Sequence, residues 1–390
     1  FCYCDVNHTL FLPHHLQEQE LQITWDGYVD WRGKPALRGR HGGFAAASFV
    51  LVAEIMENLA FLANASNLVT YLLRYMHLPL SKSANTVTNF MGTSFLLALA
   101  GGFLADTFFT AYTVFLAAAA TEFLGLVLLT LQARSSSLRP SPCLPSSSCE
   151  AVHGAQVVFL YLALYLVALG VGGIKGTLPT HGAEQFDDST APARKKRSTF
   201  FNYFIFCMAC GGLIAVTLVV WIEDNKGWQW GFGISTIAVL LSFTVFLAGS
   251  FKFRNKITSG SPLTTILKVL VSSVFNAKSN RKVDEEPEVH DGEKRFFPRL
   301  NCTEKQVEEV RIVVMILPIF ACTIMLNCCL AQLYTFSVQQ ATTMNTKIGS
   351  FKVPPASLPI FPVIFIMIVA PVYDHIITPI ARRVTKFEMG

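Results

Sequence analysis

Residues 44–73 contain no Lys, Arg or His, and Glu54 and Glu57 are the only charges among thirty residues. About 20 apolar residues in a helix cross the hydrocarbon core of a bilayer. Eight runs meet that length: 44–73, 84–105, 109–133, 155–178, 200–222, 230–251, 310–336 and 354–381. Backbone polar groups in lipid must bond internally, so each run predicts a helix despite its strand-favouring Val and Phe.

Between the sixth and seventh runs lies a polar stretch, 252–309, with mixed charges from Arg281 to Arg295. Such a stretch reads as a linker outside the membrane. Within it, Pro262 to Phe275 places apolar residues and Lys268 at helical spacing, which predicts a short interfacial helix. Residues 1–43 are polar and form a further segment outside the membrane. Six spans, a linker and further spans is the layout of a transporter built from two six-helix halves. The chain ends at Gly390, after a basic stretch flanking the eighth span. The expected fold class is therefore an all-α membrane protein of the major facilitator type. Its domains are 1–43, a six-helix bundle over 44–251, the linker 252–309, and helices seven and eight, 310–390, of an incomplete second half.

Composition supports this division. The chain is 52% hydrophobic and 15% charged, against roughly 25% charged in soluble domains. Its net charge of +5 is a matter of orientation. Lys and Arg concentrate at 32–40, 194–197 and 252–311 and after the eighth span, which predicts a cytoplasmic N-terminus. The excess is attraction to an anionic leaflet, not a nucleic-acid footprint. The ten cysteines are scattered. Cys207 and Cys210 form a C-x-x-C inside an apolar span, where inert thiols are expected, while Cys143 and Cys149 could bridge in an external loop.

The chemistry sits in the charges that remain at bilayer depth, each costing about 2.5–3.5 kcal/mol on insertion scales. Glu54, Glu57 and Asn58 stand at i, i+3 and i+4 and share one helix face. Two carboxyls so close in a low dielectric do not both ionise readily, so one is expected to hold a proton. The competing reading is a structural pair satisfied by neighbouring helices. Lys175 lies in Gly170-Val171-Gly172-Gly173-Ile174-Lys175-Gly176, whose glycines allow close helix approach. The order Lys-Gly-Thr after a membrane helix excludes a phosphate-binding loop. Lys175 either faces a cavity or snorkels to the interface. Glu122 is a buried carboxyl with no evident partner, and Asp106 caps or gates the end of the second span. No histidine falls mid-span. Gln332 and Tyr334 are candidates to line a cavity. No cluster suits an enzyme or a metal.

These residues resemble a known family, the plant nitrate/peptide transporters of the proton-coupled oligopeptide transporter group. The matching motifs are Val29-Asp30-Trp31-Arg32-Gly33-Lys34-Pro35, the E-x-x-E of Glu54 and Glu57, Gly101 to Asp106, Ala168 to Lys175, Gly182 to Asp187, Phe200 to Tyr203, Ile348 to Phe351 and Pro354 to Ser357. The run Glu54 to Leu68 resembles subfamily four of that family, whose members are associated with abscisic acid and gibberellins, and one with nitrate. The resemblance implies a proton as coupling ion, no cofactor, a small-molecule substrate, and a multi-pass place in the plasma membrane.

Three departures bear on the substrate. The family's E-x-x-E motif usually ends in a cation, here Asn58, which disfavours peptides. Ala209 replaces a family Asn. The family's nitrate-binding His of helix seven falls on Leu330. The resemblance also pairs Lys175 with an acid on helix ten, beyond this chain. The expectation is a symporter of a weak-acid hormone, with Glu54 and Glu57 carrying the proton and Lys175, Asn58, Leu330, Gln332 and Tyr334 binding substrate. The alternatives are a low-affinity symporter of nitrate or other small anions, and a non-transporting fragment.

Overall fold

The computed structural model describes residues 24–141, 151–187, 189–258, 260, 266, 304–349 and 351–380. The expected interfacial helix, the Cys143–Cys149 pair and the charged stretch 281–295 lie outside them.

The six predicted spans of the first bundle all form. They are α1 (Phe44–Thr70), α2 (Leu80–Thr107), α3 (Ala111–Arg134), α4 (Ala155–Ala183), α5 (Ala191–Ile214) continued by α6 (Val220–Lys226), and α7 (Trp228–Gly249). Helix starts carry local signals. The Thr110 hydroxyl accepts from the Thr113 N–H, the Thr190 hydroxyl from the Ala193 N–H, and Pro192 fills the first turn of α5. Wide π-turns, Tyr71–Tyr75 and Ala215–Val219, extend α1 and link α5 to α6.

Helix α1 is the centre of the bundle. It packs against α2, α4, α5 and α7 and is buried almost all round from Glu57 to Val69, as a helix apolar on every side must be. The outer helices expose Leu96, Leu99 and Val158, the side chains of a lipid-facing surface.

The glycines of α4 set its depth. A β-carbon on Gly170 would stand 2.5 Å from the Glu122 nitrogen, and one on Gly172 2.8 Å from the Ser94 oxygen. Helix α4 is thus wedged at backbone distance between α2 and α3, the close approach that small residues permit in lipid.

Several span boundaries differ from the sequence reading. Helix α4 runs through Pro179 to Ala183, because neighbouring helices compensate for the missing N–H of proline. That extension brings His181 inside the bundle, fully buried among Tyr112, Phe246 and Phe253, so a histidine does lie within a span. The seventh span is α8 (Glu304–Ala331), a 3₁₀ turn at Gln332–Tyr334, and α9 (Phe336–Thr342), so it is broken where the sequence predicted one helix. The eighth is α10 (Ile360–Val372), preceded by a 3₁₀ turn at Pro355–Ser357 and continued by a π-turn.

One end of the bundle carries strands that hydropathy did not predict. β1 (Thr24–Val29) pairs antiparallel with β2 (Pro35–Leu37) on one side and β3 (Asn255–Lys256) on the other. The Asp30 carboxylate closes the β1–β2 turn by accepting from the Arg32 and Lys34 N–H groups, both at 2.8 Å. Arg254, 1% exposed, lies between the Trp25 and Tyr28 rings, 4.2 Å from each centroid. Its Nε donates to the Glu184 carbonyl at 2.6 Å, and its backbone exchanges two bonds with the Gln185 carboxamide. The Gly43 N–H donates to the Gln185 carbonyl at 2.7 Å. Residues at the ends of α1, α4 and α7 are thereby joined outside the membrane.

Candidate functional site

The helical spacing of Glu54 and Glu57 puts both carboxyls inside the bundle, at 4% and 0% exposure. Helix α4 meets α1 here and brings Lys175 Nζ to 3.4 Å from Glu57 Oε2. The ammonium also stands over the Phe61 ring, 4.3 Å from its centroid, one turn along α1 from Glu57. Lys175 therefore turns inward and does not snorkel. Its side chain keeps 18% exposure, enough to be met from one side. An ion pair gains by leaving water only where further bonds satisfy its atoms. Here Glu57 Oε1 has no partner among the described residues.

The other predicted residues divide. Asn58 is buried, and its Nδ2 donates to the Met208 carbonyl of α5 at 2.7 Å. Its amide thus clasps two helices. Ala209, the next residue along α5, is buried. The turn containing Tyr334 touches α1, and Tyr334 lies within electrostatic reach of Lys175. Gln332, on the same turn, is exposed. Leu330 is 44% exposed at the end of α8, a helix whose residues Arg311 to Leu330 are all exposed.

Two buried groups escaped the sequence reading, and a third was seen there without its neighbours. Glu122, seen as partnerless, lies within electrostatic reach of both Glu57 and Lys175. Its signal was the small-residue face Ala118-Glu122-Gly125, which marks contact with another helix. His181 lies three residues past the expected end of the fourth span at 178. Glu223, 1% exposed, accepts from Asn67 Nδ2 at 3.0 Å, one residue past the predicted end of the fifth span.

Cys207 and Cys210 are free thiols on α5. A separate cavity of about 650 Å³ opens between the α5–α6 junction and α9–α10, walled by Trp221, Met344, Leu358 and Phe361. It lies apart from the carboxyl cluster. Outside the spans, burial pushes the Glu184 carboxyl up to about 7, against the opposing pull of Lys256. Burial likewise lowers the His41 imidazole, whose Nδ1 accepts from the Leu37 N–H at 2.9 Å.

Comparison with known proteins places this geometry. The family model described as POT family (PTR2) matches residues 112–389. The chain is 57% identical to Protein NRT1/PTR FAMILY 4.6 of Arabidopsis thaliana, over 96% of this chain and 72% of that one. It is 58% identical to Protein NRT1/PTR FAMILY 4.5 of the same plant, over 94% and 69%. Among solved structures, the POT family transporter PepTSo is similar with a TM-score of 0.63 at 18% identity, covering 89% of this chain and 71% of that one. The peptide transporter POT bound to sulfate gives 0.62 at 15%, covering 89% and 71%. At those identities the likeness is one of fold, and it is the fold of the major facilitators.

Proposed function

The chain belongs to the POT family of membrane transporters, and on that premise we propose that it is a proton-coupled symporter of a weak-acid plant hormone, abscisic acid or a gibberellin, at the plasma membrane. The observation that carries this reading is the buried pair of Lys175 with Glu57, 3.4 Å apart and flanked by Glu54.

The chemistry follows from charge balance. With Glu57 ionised, the ammonium is already offset and holds a substrate carboxylate weakly. A proton taken up by the Glu54–Glu57 pair, which leaves both carboxyls neutral, frees Lys175 for that anion. Proton and anion then bind together, because either alone leaves a buried charge without its opposite. Return of the proton to the far side restores the pair and expels the acid.

The polar groups here are few, which favours a mostly apolar acid. Asn58 spends its amide on Met208 and offers no charge, and Leu330 offers no donor to an anion. Tyr334 and Gln332, on the turn that breaks the seventh span, supply the remaining polar contacts. Nitrate would lose its water to such a pocket without regaining the bonds. Resemblance to the fourth subfamily adds support. Competition uptake tests the reading: labelled abscisic acid in proteoliposomes at acidic external pH, with excess nitrate. Undiminished uptake is expected. Strong inhibition, or nitrate currents without hormone uptake, makes a small anion the substrate.

A further inference from the structure

Glu122 has no part in the pair just described, yet it is as completely enclosed as Glu57. It stands in mid-α3 with no exposure, and neither of its oxygens has a hydrogen-bond partner among the described residues. A purely packing position would not keep an acid there, since an unpaired buried carboxylate costs far more than an apolar side chain of its size. Its backbone lies against Gly170 of α4, five residues before Lys175 in the same helix. Glu122 thus stands beside the helix that carries the ammonium, as Glu57 does from α1.

The charge count decides the role. Three carboxyls share one ammonium. A buried cluster is least costly when neutral overall, so one carboxyl is ionised and two carry protons. Glu57 is the ionised one while Lys175 lies against it. We propose that Glu122 is a third proton-holding carboxyl of this site and the alternative counter-ion of Lys175. The exchange balances: a proton leaves the Glu122 carboxyl, Glu57 receives it, and the Lys175 charge is then offset by the Glu122 carboxylate. No net charge enters or leaves. Glu122 is a positioning residue, since it touches no substrate. It keeps Lys175 inside the bundle during the part of the cycle in which Glu57 is protonated and no substrate anion is bound.

Other charged groups are few around it. Helix α7 contributes none. Helix α2 brings only Lys82 and Asp106, at its two ends, and α3 itself ends in Arg134. β3, at the end of the bundle, adds Lys256. Besides Lys175, α4 brings His181, enclosed by aromatic rings at the far end of its helix.

This inference rests on the proton-coupled reading, and one experiment separates the two. Uptake of labelled abscisic acid by the full chain in proteoliposomes is followed against external pH. For wild type, uptake rises on acidification. Glu122→Gln, whose amide takes no charge, should flatten that profile and lower kcat about tenfold or more with KM held within roughly twofold, and Glu122→Asp should restore part of the slope. A Glu122→Gln profile and kcat identical to wild type overturn the inference and leave the coupled reading intact. A flat wild-type profile removes the coupled reading and the inference with it. If Glu122→Gln does not fold, Glu122→Asp decides: its acid is drawn back by one carbon, so a shifted pH midpoint supports the role and an unchanged midpoint overturns it.

Discussion

Lys175 reaches Glu57 across the interface of α4 and α1, Nζ to Oε2 at 3.4 Å, with its ammonium resting on the Phe61 ring. Loss of the lysine leaves a buried carboxylate without an opposite charge, and such a group takes a proton instead. Lys175→Ala is therefore expected to fold. A charged hydrogen bond to substrate is worth about 1.5–3 kcal/mol, so uptake of an anionic substrate should fall by roughly ten- to a hundredfold or more. Normal uptake kinetics in Lys175→Ala would exclude Lys175 from binding and coupling.

Glu54→Gln and Glu57→Gln should each abolish the rise of uptake with external acidity. The two acids are buried on one helix face, and an amide at either place fixes it as neutral. Proteoliposomes held at a series of external pH values provide the measurement. Wild-type slopes in both variants would make the pair structural and move the proton path elsewhere.

Leu330→His should confer nitrate uptake that the wild type lacks. An imidazolium at the end of α8 would supply both a charge and a donor for a small anion. Nitrate-evoked currents in the variant and not in wild type are the expected result, and silence in both would place the anion elsewhere.

The Glu184 carboxyl, raised to about 7 chiefly by burial, makes stability depend on pH. An acid raised in the folded state favours folding while it is protonated. Its contribution is complete below about 4.5 and lost as pH climbs through about 7. At roughly 1.4 kcal/mol per tenfold in proton affinity, the effect is about 3.5 kcal/mol at most. Glu184→Gln should raise Tm above neutrality and leave it unchanged at acid pH. An equal change at both ends of the range would trace the effect to packing.

Gly170→Val should prevent folding. Even a single β-carbon there meets Glu122 backbone at 2.5 Å, and α3 and α4 would have to part along their length. Overpacking of this kind typically costs about 1–3 kcal/mol or more. Loss of the monodisperse detergent-solubilised peak in gel filtration is the expected sign.

The spans were legible because a bilayer imposes one length and one composition on every crossing. Glu54, Glu57 and Lys175 were legible because charge at that depth is rare. What periodicity could not supply was who faces whom. Glu122 looked partnerless because its neighbours Lys175 and Glu57 lie on other helices, fifty or more residues away in the chain. The break at Gln332–Tyr334 is a matter of backbone angles, which hydropathy does not read. The strands were missed for the opposite reason. Thr24–Val29 and Asn255–Lys256 are short and polar, and neither predicts its partner across more than two hundred residues.

The caging of Arg254 has a mechanical consequence. A cation held between two rings and bonded to the residue that caps α4 ties down one end of the bundle like a knot, while the π-turns of α1 and of the α5–α6 junction lie at the other end. Such ties resist splaying at that mouth, and bending is expected near Tyr71–Tyr75 and Ala215–Val219, where α1 meets the α5–α6 junction.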